Sequence, residues 1–370
     1  MHLPQSKAKV GSKELIAMTT VLVTTQSFLD YPRIVSENAM EAAWMEPVVA
    51  GVLTILAVLV VDVLFRKVSP DYGLAEVARY AFGKLGTAVI GFLFALYFLI
   101  TAANTMRLFM ENVVSTVLPH TPIVIVGAIF VASVAYVAYT GLEGIARIGF
   151  VAFPILFTGI IALSLLTANH WKPALLYPFL GTGPLHVVLT GLGSSAIFLN
   201  FTVLCTIRAH FHRPQDFRVV GIKSTLWSVV LLVVFLLAYH MVFSPSEATK
   251  LTSPMYSMAR VIQLGRFVQR LESIFIFMWV SAAVVKIAIM LWTTAYFLAS
   301  AFNWPTYRPI LPALSLLALS ASLIPPDVAF ITRFNDNVLW RWGWVFVFAL
   351  PMIVLVLARF HRPGRRSVRT

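Results

Sequence analysis

Ten long apolar runs follow one another along this chain, at about 14 to 36, 45 to 66, 86 to 112, 121 to 141, 145 to 168, 184 to 208, 219 to 243, 269 to 302, 306 to 325 and 338 to 359. Each is bounded by Pro, Gly or charged residues, and each is long enough, at roughly 20 residues, to carry a helix through a bilayer. The eighth exceeds one straight span, which predicts tilt or a preceding surface helix. The pattern predicts an all-α polytopic membrane protein of about ten spans, with a tail over 1–13, one transmembrane domain over 14–359 and a basic tail over 360–370.

Two runs carry polar residues where continuous helix is expected. In the first, Thr24, Thr25, Gln26 and Ser27 sit near mid-membrane depth and are followed by Asp30, Tyr31 and Pro32, whose ring removes a backbone donor. In the sixth, Gly191, Leu192, Gly193, Ser194 and Ser195 precede Asn200. Backbone freed from helical bonding within a bilayer is tolerated only against protein or a wet cavity, so paired breaks point to a ligand site. Half-helix N-termini would attract a carboxylate and freed carbonyls an ammonium, which suits a zwitterion such as an amino acid. The competing explanation is that Gly, Ser and Thr here only allow close helix packing.

Composition narrows the class. Hydrophobic residues make up 59% of the chain and charged residues 12%, so no sizeable soluble domain fits and any function lies in or beside the membrane. The net charge of +13 is read as positive-inside topology and not as nucleic-acid binding, which would need a basic face on a soluble domain. With the N-terminus cytoplasmic, only Lys172, Lys250, Arg260, Arg266, Arg270, Arg333 and Arg341 fall outside, and Arg33, Arg107 and Lys286 fall within spans, of 28 Lys and Arg. Both termini are therefore expected in the cytoplasm. The first apolar run lacks a signal-peptide cleavage site and is read as a span. One cysteine, Cys205, allows no disulfide framework within the chain.

The segment 244 to 268 has helical apolar spacing at Met258, Val261, Ile262, Leu264 and Phe267. It is expected to be a connecting helix, or a lid or docking surface. Lys286, with no charge near it in sequence, is either functional at depth or snorkels to an interface. Three pairs four apart, Asp62 with Arg66, Arg107 with Glu111, and Glu143 with Arg147, predict structural ion pairs on single helix faces. Tyr97 and Asn104 either face a central cavity or serve helix packing. No metal, nucleophile or nucleotide-binding pattern is present, so neither an enzyme nor a cofactor is expected.

Several short pieces in order resemble one family. They are Tyr31-Pro32-Arg33, Phe82-Gly83-Lys84-Leu85-Gly86, Ala102-Ala103 with Met106-Arg107 and Glu111, Leu118-Pro119, Thr121-Pro122, Gly141 with Glu143 and Ala146-Arg147, Arg270 with Glu272, Trp279 and Lys286, and Tyr307-Arg308-Pro309. Together they resemble the spore germination permease family, the B subunit of endospore germinant receptors within the amino acid/polyamine/organocation superfamily. The resemblance implies a leucine-transporter-like fold of two inverted five-span repeats, about 14–168 and 184–359, with broken helices 1 and 6 around a pocket. It implies a sensor of a small nutrient germinant, chiefly an amino acid, in the spore inner membrane. An A subunit, also membrane-embedded, and a C-subunit lipoprotein are the implied partners. The chain departs from the family at Thr25-Gln26-Ser27, where small Gly-rich residues are usual, and at Leu199-Asn200-Phe201, where a Phe-Gly-Glu-like triplet is usual. The expected ligand-binding residues are Thr25, Gln26, Ser27, Tyr97, Asn104, Gly193, Ser194, Ser195, Asn200 and Lys286. The rival readings are a self-sufficient amino acid or polyamine transporter and a scaffold with a vestigial pocket.

Overall fold

The computed structural model describes residues 9–68, 72–262 and 272–360. Sixteen α-helices run along them. The first repeat holds α1 (Ser12–Thr24), α2 (Tyr31–Ala39), α3 (Glu46–Val68), α4 (Leu74–Thr116), α5 (Ile123–Tyr139) and α6 (Gly141–Leu166). The second holds α7 (Pro184–Gly193), α8 (Asn200–Ile207), α9 (Asp216–Val242), α10 (Pro245–Ala248), α11 (Pro254–Val261), α12 (Glu272–Phe302), α13 (Leu311–Leu323), α14 (Val328–Phe334), α15 (Arg341–Trp344) and α16 (Leu350–Phe360). Each apolar run of the sequence is mainly helical over its described residues. Among the described residues, six helical stretches are long and apolar enough to cross a bilayer, or seven with the bent pair Pro184–Ile197 and Asn200–His210.

The first span is built from α1 and α2. Thr19, Thr20, Thr24 and Thr25 each donate to the carbonyl four residues earlier, at 2.5 to 2.8 Å, so the hydroxyls are satisfied without leaving the helix. Such back-bonding competes with the helical ladder and bends it. The chain tightens into a 3₁₀ turn over Thr25–Phe28, passes through a non-helical Leu29, and restarts at Tyr31 with Pro32 in the first turn, where its missing N–H costs nothing.

The sixth span breaks later than its glycines suggest. Gly191 and Gly193 remain helical in α7, a 3₁₀ turn covers Ser194–Ile197, and the direction changes at Phe198 and Leu199, with the halves bent by 44°. Gly191 serves packing: a Cβ there would lie 2.7 Å from Cβ of Val49 on α3.

The long α12 is the centre of the bundle, with 72% of its most apolar window buried. It packs chiefly on α4, where Phe94 stacks on Phe297 at 4.7 Å and Phe109 meets Trp279 at 5.2 Å. Close crossings use small residues elsewhere; Gly149 on α6 sits so near α1 that a Cβ would lie 2.8 Å from Cα of Met18. Lys9 donates to the Phe211 carbonyl at 2.7 Å and Ser12 to Asp216 at 2.9 Å, tying α1 to the start of α9.

Three expected boundaries move. The third span begins at Leu74, not near 86, because Gly83, at φ +66°, kinks α4 without ending it. The tenth begins at Val328, not 338: Asp327 caps it by accepting from the Phe330 N–H at 2.7 Å. It then continues through π-helical turns at Asn335–Trp340 and Val345–Ala349. Arg341 consequently falls within the helical stretch Val328–Phe360 and not at its start. The segment after α9 folds inward, with Met255, Met258 and Ala259 buried as α11 packs on α12 and Thr25–Phe28. Leu264, Arg266, Phe267 and Arg270, the side chain of Glu272, and most of both tails lie outside the described residues.

Candidate functional site

Both helix breaks open onto one cavity. It is a partly open cavity lined by Gln26 and Asp30 from the first break, by Ala196, Ile197 and Leu199 from the sixth-span break, by Tyr97, Thr101, Asn104, Thr105 and Leu108 from α4, and by Asn335, Leu339 and Trp340 from the tenth span. The mixture of apolar wall with a few polar groups is the lining chemistry of a small-ligand site.

Asp30 is the only ionisable carboxylate on this wall, and it is 6% exposed. One carboxylate oxygen accepts from the Asn335 side-chain amide, and Asn335 in turn accepts from Asn104 at 3.1 Å. The other oxygen, Oδ1, has no hydrogen-bond partner, and neither has Oε1 of Gln26. A π-helical turn widens the helix where Asn335 enters the cavity, a feature often found at functional positions. Aromatic contacts fix the surrounding wall. Tyr31 stacks on Trp340 at 5.5 Å, and Tyr97 stacks on Phe346 at 4.6 Å with rings only 7° apart. Just above, Arg33 pairs with Glu37 at 2.5 Å and Asp336 at 3.4 Å, so it is already engaged. The residues of the wall thus include two buried acceptors without a partner among the described residues, Asp30 Oδ1 and Gln26 Oε1, beside amide and hydroxyl groups; a cationic donor such as an ammonium is the chemistry that would complete them.

Of the ten residues expected from the sequence, Gln26, Tyr97 and Asn104 line this cavity. The others are placed elsewhere. Thr25 and Ser27 are fully buried and bonded to Val21 and Thr24 carbonyls. Asn200 turns toward α9, with Ser224 and Thr225 at 3.5 and 3.4 Å. Ser194 bonds to the Gly191 carbonyl at 3.2 Å and lies with Asn38 and Thr190 about the buried Glu46 carboxylate. Gly193 and Ser195 face a separate, apolar groove. Lys286 is fully buried on α12; its ammonium has no hydrogen-bond partner, though it and Asp30 interact electrostatically. The expected ion pairs are all formed within their helices: Arg66 to Asp62 at 2.7 Å, Arg107 to Glu111 at 2.7 Å and Arg147 to Glu143 at 2.6 Å.

Sequence reasoning missed Asn335, Thr101 and Trp340 as cavity residues and used Asp30 only as a mark of the break. A carboxylate one residue before Tyr-Pro, at the depth where helix fails, was the available signal.

A family model described as spore germination protein matches residues 9–331. Among curated proteins of Bacillus subtilis (strain 168), spore germination protein A2 is 23% identical, over 91% of this chain and 92% of that one. Spore germination protein YndE is 22% identical over 99% and 100%, and spore germination protein KB 23% over 90% and 88%. Among solved structures, MHP1, a nucleobase-cation-symport-1 family transporter in a closed conformation with bromovinylhydantoin bound, superposes with a TM-score of 0.61 at 13% identity, covering 96% of this chain and 91% of that one. That similarity establishes a shared leucine-transporter-like fold.

Proposed function

The chain belongs to the spore germination protein family, and on that premise we propose that it is the ligand-binding membrane subunit of a nutrient germinant receptor. The protein is a multi-pass membrane protein of germinant-receptor type. In our reading the ligand is an amino acid, held between the two helix breaks with its ammonium on Asp30 and its other polar end toward Gln26 and Tyr97. The observation that carries this is the buried Asp30 carboxylate with one oxygen left unsatisfied at a cavity wall. Such a group is costly unless something completes its bonding.

The work done is conformational and not covalent. A ligand shifts a two-state equilibrium only by its differential affinity for the two states. The cavity is built from both repeats, with the first break and α4 on one side and the sixth and tenth spans on the other, so a ligand bridging them favours the arrangement in which those walls are close. We place the protein in the spore inner membrane with both termini cytoplasmic, and we assign passage of the signal to a membrane-embedded A subunit and a C-subunit lipoprotein.

The test is spore germination in a strain lacking this chain, complemented with wild type or with Ala196→Phe, across amino acids, sugars and nucleosides, with partner-subunit levels followed. A response lost on deletion, restored by wild type and not by the filled cavity is expected. Survival of every response in the deletion strain, with accumulation of a labelled amino acid by the reconstituted chain alone, would replace the sensor with a self-sufficient transporter.

A further inference from the structure

Glu46 opens α3 and is fully buried, yet neither of its carboxylate oxygens has a hydrogen-bond partner. Thr190 and Ser194 of the sixth span and Asn38 of α2 stand about it, with the buried Tyr31 hydroxyl close by. Among the described residues Glu46 enters no ion pair, and no Lys or Arg is near enough to act on it. The N-terminus of α3 supplies only about half a charge, and none of its amides reaches either oxygen. A buried carboxylate is costly until something completes its bonding and offsets its charge.

The groups around it have few protons to offer. Thr190 Oγ1 donates to the His186 carbonyl at 3.0 Å, and Ser194 Oγ to the Gly191 carbonyl at 3.2 Å. Their hydrogens are spent within their own helix, which leaves Glu46 the lone pairs of their oxygens. A proton on Glu46 would complete one carboxylate oxygen and leave the other bare, whereas a metal ion can take both. One carboxylate among neutral oxygens is the donor set of a hard cation of single charge. Among the described residues no three His, Cys, Asp or Glu gather as a divalent or transition metal would require.

An ion here would join parts that meet at both breaks. Gly191 brings α7 so near α3 that a Cβ would lie 3.4 Å from the Glu46 backbone carbonyl oxygen, and His186 Nε2 meets the Asn38 carbonyl oxygen of α2 at 2.9 Å. The Tyr31 ring, on the other side, stacks on Trp340 of the ligand-cavity wall at 5.5 Å. Asn38 and Thr190 are half-buried, so the edge of the cluster reaches the surface. We propose that Glu46, with the oxygens of Thr190, Ser194 and Asn38, forms a binding site for a monovalent metal cation of the sodium or potassium class, which pins the first half of the sixth span to α2 and α3. The site is separate from the ligand cavity, and its test does not depend on germination.

The purified full-length chain in nanodiscs is titrated with sodium or potassium chloride against choline chloride at constant total salt, following melting temperature and the binding of labelled sodium or of labelled rubidium in place of potassium. The expected result is saturable binding of at least one of the two cations, with a rise in melting temperature that choline does not give. Glu46→Gln keeps the shape, removes the charge and abolishes both responses. Thr190→Val removes one oxygen and raises the half-saturating concentration roughly tenfold or more, the order of loss that a single supporting contact to a metal carries. It leaves the carboxylate in place and keeps the test valid if Glu46→Gln does not fold. Equal melting of the wild type in all three salts, binding retained in full by Glu46→Gln or by Thr190→Val, or a wild-type stability that follows pH and is indifferent to the cation, would overturn the proposal.

Discussion

Replacing Asp30 with Asn removes a charge while keeping shape. The amide oxygen still accepts from Asn335, so the chain of bonds to Asn104 survives, and the change falls on the free Oδ1. If that oxygen receives a ligand ammonium, its replacement by an amide NH₂, which cannot accept, removes one charge-assisted hydrogen bond, a loss of about 1.5 to 3 kcal/mol. At about 1.4 kcal/mol per tenfold, the half-maximal germinant concentration rises roughly ten- to 150-fold. The assay is a germination dose-response on spores whose content of the protein is measured by immunoblot. Lys286 provides the control, because Asp30 and Lys286 interact electrostatically. Were Asp30 only a counter-charge for that lysine, Asp30→Asn with Lys286→Met would restore the wild-type response; in the ligand-binding account the double substitution stays impaired. An unchanged dose-response at normal protein level, or full restoration by the second substitution, refutes the reasoning.

Other outcomes follow from the packing. Ala196→Phe adds a ring at the cavity wall, beside Gly343, and should abolish or shift the response at least tenfold, with immunoblot and melting temperature read alongside the dose-response to separate loss of the site from loss of the protein. Thr25→Leu, at a fully buried position bonded to the Val21 carbonyl at 2.5 Å, should instead cost stability, about 1 to 3 kcal/mol by overpacking, seen as a lower melting temperature in detergent while half-maximal germinant concentration holds. Gly149→Leu should lower it similarly, because α1 must move away from α6. Arg107 bridges Glu111 and the Ser322 carbonyl, at 2.7 and 3.1 Å; Arg107→Leu should therefore destabilise more than Glu111→Gln, which leaves the second bond in place.

The spans were readable because hydropathy is imposed by the bilayer itself, and the first break because Pro32 disfavours helix in the residues just before it. The second break was read a few residues early. Its glycines suggest the point of failure, but Gly191 is there to let Val49 approach, and the turn falls in Phe198-Leu199, whose side chains give no polar signal. Asn335 was hidden for a related reason: the polar cluster from Arg333 to Asn337 lowers local hydropathy, so the tenth span was started after it. Which face of a broken helix points to the cavity was not legible. Thr25, Gln26 and Ser27 are adjacent, yet only Gln26 reaches the cavity, since the 3₁₀ turn sets the rotation of each side chain and only the folded neighbours reveal it.

The central claim is that a small nutrient binds at the cavity between the two breaks. Equilibrium binding of a labelled germinating amino acid to the purified full-length chain in nanodiscs, compared between wild type and Ala196→Phe at equal melting temperature, tests it most directly. The account predicts saturable binding to wild type that the substitution removes; equal binding to both, or no binding to the wild type, would contradict it.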